Sequence, residues 1–260
     1  MSSTQTFWDH LDELRTVLIR IVVAVLLCTV VAFCFKDMLF GVILAPQDSD
    51  FVTYRLLDRL AGMFAPGMEP LEALSARLIN TGLALQFLLH VKVAFGAGCM
   101  LASPYILYQL FGFVSPALYV NERKYAVRLV VSGSVMFMLG LMLSYFLVFP
   151  LTYRFLSTYQ ISAIVENTVT IESYIDTLIT LSFAMGIVFE IPVLCWVLGK
   201  MGIISANMMR GYRRHVCVML LVIGAIITPT SDVFTLLLVT LPMYLLYEMS
   251  IHIVARTCSK

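Results

Sequence analysis

Three glutamates stand where a carboxylate is either chemically useful or costly, in a chain that is 60% hydrophobic and only 13% charged. Glu13 lies in Phe7-Trp8-Asp9-His10-Leu11-Asp12-Glu13-Leu14-Arg15, Glu122 in Tyr119-Val120-Asn121-Glu122-Arg123-Lys124, and Glu190 near the middle of an apolar run. Glu13 and Glu122 can each receive a guanidinium through two parallel hydrogen bonds, a geometry that lysine does not offer. The plainer alternative pairs Glu13 with Arg15 and Glu122 with Arg123. An ionisable group at the depth of Glu190 costs at least about 2.5 kcal/mol, so its side chain is expected in a protein interior or a watery cavity. A protonated acid that holds helices together is the plainer role there. Pro192, two residues on, interrupts the helical ladder and bends the span. His90 and Lys92 sit toward one end of another apolar run, where Lys92 can snorkel to the interface. Asp232 follows Ser231 at the start of a helix, the place for a cap or a dipole partner.

The elements that carry these residues are membrane helices. A span needs about 20 mostly apolar residues to cross a hydrocarbon core of about 30 Å. Residues 17–35, 83–110, 126–150 and 178–198 meet that length. Residues 216–227 and 233–247 cover only about 18 and 22 Å, so a short fifth and a short sixth helix are expected. Before the first span, Phe7, Leu11, Leu14 and Leu18 share a helical face while Asp9, Asp12 and Glu13 lie off it, which predicts, within an amphipathic N-terminal segment over 1–16, an interfacial helix that begins near Phe7 and runs on into the membrane. Thr6 and Asp9 make a passable capping box there. The acidic character of this segment is not that of a cleavable signal peptide.

Six crossings put both termini on one side. Eleven of the 17 Lys and Arg residues fall on that side, among them Arg15, Arg123, Lys124, Arg213 and Arg214. Only Lys36, Arg55, Arg59, Arg77 and Arg154 fall on the other. The bias of basic residues predicts that both termini are cytoplasmic. The connection over 36–82 is then a long external loop, with a break at Pro46, a surface helix over 54–64 and a further helical stretch over 71–78. Tyr105, Tyr108, Phe111 and Phe113 read as an interfacial aromatic belt, or as a shelf for an incoming peptide. Cys28, Cys34, Cys99, Cys195, Cys217 and Cys258 have no CxxC spacing and read as small buried hydrophobes. No nucleotide, hydrolase or metal motif occurs, so neither an enzyme nor a cofactor is expected. The single domain spans 1–260.

In combination, these residues resemble the TatC family, the polytopic subunit of the twin-arginine protein translocase. The likeness is carried by His10-Leu11-Asp12-Glu13-Leu14-Arg15, by Pro104-Tyr105-Ile106-Leu107-Tyr108-Gln109 running to Phe113-Val114-Ser115-Pro116-Ala117-Leu118-Tyr119, and by Glu122-Arg123-Lys124. It continues through Tyr145-Phe146-Leu147-Val148-Phe149-Pro150, Phe189-Glu190-Ile191-Pro192, Asp232-Val233-Phe234, Pro242 and Leu246-Tyr247-Glu248. Two positions depart from the family pattern: Val17 replaces a frequent basic residue and Leu236 a frequent glutamine.

The resemblance implies an all-α, six-helix, cupped membrane protein with short fifth and sixth helices, in a bacterial cytoplasmic membrane. It implies a receptor for twin-arginine signal peptides of folded precursors, working in an oligomeric complex with single-span TatA/TatB-type subunits, driven by the proton-motive force and binding no nucleic acid. By the same resemblance Glu13, Arg15, Phe113, Glu122 and Glu190 meet the signal peptide, and Pro46, Pro192 and Asp232 are sensitive to change. A reading from another class is a proton-coupled secondary transporter that uses Glu190 with His90 and Lys92. A third is a membrane scaffold whose acids are only structural.

Overall fold

The computed structural model describes residues 7–64, 78–114, 123–159, 168–228 and 232–258. α1 (Phe7–Cys34) is one unbroken helix, so the amphipathic segment and the first span are continuous. α2 (Lys36–Leu44) follows after a one-residue break, and a 3₁₀ turn (Ala45–Gln47) leads to α3 (Val52–Phe64). α4 (Leu85–Val114) returns along α1, and α5 (Arg123–Leu143) runs back. A π-helical turn (Ser144–Val148) passes into α6 (Phe149–Thr158). α7 (Ile171–Val188) and α8 (Ile191–Lys200) form the fourth span, broken at Phe189 and Glu190. A short α9 (Ala206–Gly211) precedes the hairpin of α10 (Arg213–Ile227) and α11 (Val233–Cys258). The two loops opposite the start of α1 are joined by two short parallel strands, β1 (Leu78–Ile79) and β2 (Val169–Thr170). We call the end of the bundle where α1 begins the near end, and the end with these strands the far end.

Five helical stretches are long and apolar enough to cross a membrane: Leu11–Cys34, Leu85–Phe113, Val127–Thr158, Ile171–Lys200 and Val233–Arg256. α10, at 15 residues, spans only about 22 Å and is the short fifth helix. The sixth differs from expectation. Its apolar part is short, but α11 continues to Cys258. Polar groups of the added turns are paired within the chain: Arg213 donates to Glu248 at 2.8 Å, Tyr244 donates to the same carboxylate at 3.2 Å, and the Ser250 hydroxyl donates to the Leu246 carbonyl at 2.7 Å.

Spans pack closely where side chains vanish. A Cβ at Gly140 of α5 would lie 2.5 Å from the Met185 carbonyl oxygen of α7, and one at Gly98 of α4 would lie 2.7 Å from the Thr29 backbone of α1. Gly224 brings α10 equally close to Thr240 of α11, and Leu236 packs on the same spot. Small residues at crossings let backbones touch, and the close packing this allows is one driver of helix association in lipid. The principal core joins α6, α7 and α11 through Phe149, Ile175, Leu181, Met185, Met243 and Ile251. Outside, α1 presents Leu18, Val22, Leu26, Leu27 and Val30 in exposed rows suited to acyl chains.

The prolines show how the far end is held. A proline leaves the carbonyl four residues earlier without its helical donor. Pro46, Pro104 and Pro150 so free the carbonyls of Val42, Met100 and Phe146, and each is taken by a hydroxyl: Tyr145 donates to Val42 at 2.6 Å, Ser103 to Met100 at 2.8 Å, and Thr53 to Phe146. Tyr174 donates to the next orphan at the end of α2, the Ile43 carbonyl, at 2.9 Å. Tyr54, 1% exposed, donates to the Pro46 and Pro150 carbonyls at 3.1 and 3.2 Å, with the Arg154 guanidinium 5.5 Å over its ring. Burial pushes the Tyr54 phenol well above its ordinary range; nearby Tyr153 adds to this and Arg154 opposes it. The phenol therefore stays protonated in the folded chain while the unfolded one ionises above about pH 10, and stability falls as pH rises past that value. Tyr54→Phe is expected to cost about 1–3 kcal/mol by stranding two carbonyls. Thermal unfolding in detergent checks this: the variant melts lower at neutral pH, and its melting temperature falls less steeply above pH 10.

Several sequence expectations are corrected at this level. The surface helix starts earlier, at Val52. Residues 71–77 lie outside the described residues, and Leu78, expected in a helix, is in β1. Cys34 and Cys217 are exposed rather than buried; they sit on outward helix faces, where a thiol is a small hydrophobe against lipid. Lys92 does not simply snorkel: its ammonium pairs with Asp176 of α7. A cation and an anion meeting between two spans lower each other's cost of leaving water.

Candidate functional site

Glu13 sits two turns into α1 at the near end. It is half-buried, whereas Asp12 and Arg15 are exposed, because the helix turns positions 13, 14 and 17 toward the bundle and Val17 is buried there. α1 packs along α4, whose near end carries the half-buried Phe113. α5 starts at Arg123 on the same end. Glu122, the residue before it, lies outside the described residues, as do residues 115–121. The near end is also basic, with Lys200, Arg210, Arg213, Arg214 and Arg256 on α8 to α11.

Glu190 is at the break between α7 and α8, 7% exposed. Pro192 causes the break, since it cannot donate back to Val188, and it too is buried. Opposite stands Gly133 of α5: a Cβ there would lie 3.1 Å from both Glu190 Oε2 and the Phe111 ring. Glu190 thus occupies room that the missing side chain leaves open, beside a small apolar cluster of Phe111, Leu129, Val193 and Val197. Phe111 is therefore not part of an interfacial belt, as its spacing suggested; its ring turns inward to this cluster, while Tyr105 and Tyr108 are exposed. Neither carboxyl oxygen of Glu190 has a hydrogen-bond partner among the described residues. A buried carboxyl group in that state is destabilising, and its free energy improves when a donor arrives.

The other candidates separate. Asp232 caps α11, accepting from the Thr235 amide at 2.7 Å, which is the capping role expected of it. Pro46 is buried at the far end under Tyr54. His90 stacks on Phe33 with ring centroids 4.0 Å apart and meets Phe40 edge-on at 5.9 Å. Asp176 and Glu190 are 14 residues apart on one span, about 21 Å along the axis, so Lys92 and His90 do not reach Glu190. Sequence reasoning missed Gly133, Asp176 and the Tyr54 hydroxyl. The prolines at 46, 104 and 150 were the signals that a carbonyl four residues earlier would need a donor.

Residues 9–242 match the family described as Sec-independent protein translocase protein (TatC). The chain belongs to the TatC family. It is 34% identical over 250 residues to the TatC of Blattabacterium sp. subsp. Periplaneta americana, covering 95% of this chain and 94% of that protein. It is 33% identical over 255 residues to the TatC of Escherichia coli, covering 96% and 88%. A solved structure described as the crystal structure of the twin arginine translocase receptor TatC superposes with a TM-score of 0.76 at 31% identity, covering 96% of this chain and all of that one. Within the TatC family this chain is an all-helical integral membrane protein and a component of a protein translocase.

Proposed function

We propose that the chain is the subunit that binds twin-arginine signal peptides of folded precursors, in a bacterial cytoplasmic membrane with both termini in the cytoplasm. The observation that carries this is the half-buried Glu13 on α1, at the same end as Phe113 and the start of α5 next to Glu122. Two carboxylates at one membrane face match two consecutive arginines, each bidentate pair adding geometry as well as charge. Phe113 supplies an apolar wall at the same end, and Arg15 orients or balances the acids. The basic bias of the near end supports the orientation.

Glu190, Gly133 and Pro192 form a second point of the same surface. The unsatisfied carboxyl group takes a polar donor from the bound signal or from a single-span TatA/TatB-type helix, in an oligomer driven by the proton-motive force. Pro46 and Asp232 act by holding the far end in shape. A proton-coupled transporter is disfavoured by the distance between Glu190 and the Lys92–Asp176 pair.

A photo-crosslinking residue in place of Phe113 tests the reading. It is expected to capture a twin-arginine peptide added from the near end, and failure to do so while a detergent-facing control position also stays silent would contradict the site. Glu190→Leu is expected to raise the unfolding temperature, since replacing an unpartnered buried acid with a hydrophobe is neutral or stabilising. The same variant is expected to lose export of a twin-arginine reporter. A less stable protein with normal export is the opposite result.

A further inference from the structure

A cavity of about 500 Å³ opens at the far end between α2, the start of α4 and the start of α7, with Lys36, Phe40, Gln86, Phe87, His90 and Ile171 on its walls. Its level in the bilayer follows from three spans at once. The first ends at Cys34, the second begins at Leu85 and the fourth begins at Ile171. Lys36, Gln86 and Ile171 each lie within two residues of one of those ends, so the cavity sits where hydrocarbon gives way to headgroups.

The wall chemistry is one-sided. Lys36 and Gln86 bring N–H donors, His90 brings a ring nitrogen, and among the described residues no aspartate or glutamate lines the space. Asp37 and Glu172, neighbours in sequence, are exposed and outside it. Lys92, two residues beyond His90, is already neutralised by Asp176, which leaves Lys36 as the cation of the cavity among the described residues. The His90 ring is fixed in advance by Phe33 and Phe40. Its Nε2 is buried without a partner among the described residues. Phe40 and Phe87 supply the apolar floor below these groups.

We infer that this cavity binds the phosphate of a bilayer phospholipid with an anionic headgroup, its glycerol and first methylenes lying on Phe40 and Phe87. An oxyanion at headgroup depth meets Lys36 in a charge-assisted hydrogen bond and finds the histidine ring already positioned. A basic pocket between spans is one form that lipid headgroup recognition takes. The inference rests on the spans and the cavity, not on the near-end carboxylates, so it stands or falls separately from signal-peptide binding.

Native mass spectrometry of the full chain, equilibrated in detergent with equimolar phosphatidylglycerol and phosphatidylcholine, tests it. The wild type is expected to retain phosphatidylglycerol in preference, and Lys36→Gln to reduce that preference about tenfold, the loss of one charge-assisted bond. Arg59→Gln, at an exposed position of α3 outside the cavity, is expected to keep it. Equal retention of the two lipids by the wild type, an unchanged preference in Lys36→Gln, or an equal loss in Arg59→Gln would each overturn the site. Displacement of the bound lipid by millimolar inorganic phosphate would also overturn it, because the ligand would then be a soluble anion. Lys36 is exposed, so its substitution leaves folding intact.

Discussion

A chain carrying Glu13→Ala together with Glu122→Ala inserts and folds as the wild type does but binds a twin-arginine peptide about a hundredfold more weakly, or worse. The magnitude follows from two charge-assisted pairs, each contributing about 1.5–3 kcal/mol, and from about 1.4 kcal/mol per factor of ten. Each single variant leaves one arginine paired and is expected to lose about tenfold. Folding is spared because Glu13 is only half-buried at the near end of α1, one turn before the first buried position, Val17. Crosslinking yield against peptide concentration, with size-exclusion profile and helical content as controls, reads the effect. Undiminished binding in the double variant would remove the carboxylates from the account. A reciprocal substitution, with lysine at both positions, is expected to abolish binding by repulsion.

The second large effect is on assembly of the bundle. Gly140→Leu is expected to prevent α5 from packing on α7, because even its Cβ would stand 2.5 Å from the Met185 carbonyl oxygen and 3.0 Å from the Gly186 backbone. Backbone cannot yield as a long side chain can, so the helices must separate. Overpacking of a tight core costs about 1–3 kcal/mol, and a backbone clash exceeds that. The same crossing positions Gly133 one surface further along α5 against Glu190, so a forced separation also disturbs that site. Gly41→Leu is the control, since nothing lies within 4 Å of a Cβ there. Unfolding temperature and protease resistance in detergent are expected to drop sharply for Gly140→Leu and to stay unchanged for Gly41→Leu.

What could be read in advance, and what could not, follows from how local each signal is. The uninterrupted path from Leu11 into the first span is a matter of helical period, and α1 shows it. The short α10 follows from a count of apolar residues before Thr228. The length of α11 does not, because Glu248, Ser250 and His252 look like the end of a span until Arg213 and the preceding carbonyls are seen to satisfy them. Phe111 illustrates the same limit: an aromatic near a membrane surface looks interfacial, yet the gap at Gly133 draws its ring inward. The hydroxyls that repair Pro46 and Pro150 come from Tyr145 and Thr53, roughly a hundred residues away in the chain, a pairing that spacing cannot reveal. Asp176 escaped notice because it begins a run whose apolar part was counted from Leu178. The acids at Glu13 and Glu190 were visible as breaches of pattern, but their meaning needed the family: by spacing alone Glu13 is an ordinary surface carboxylate.

The most direct test is a fluorescence anisotropy titration of the purified wild-type chain with two labelled peptides that differ only in having Arg-Arg or Lys-Lys at the signal motif. Both carry the same charge and the same apolar segment. Because lysine lacks the planar fork that pairs with a carboxylate, the twin-arginine peptide is expected to bind at least about tenfold more tightly. Equal affinity for the two peptides would contradict recognition by paired carboxylates.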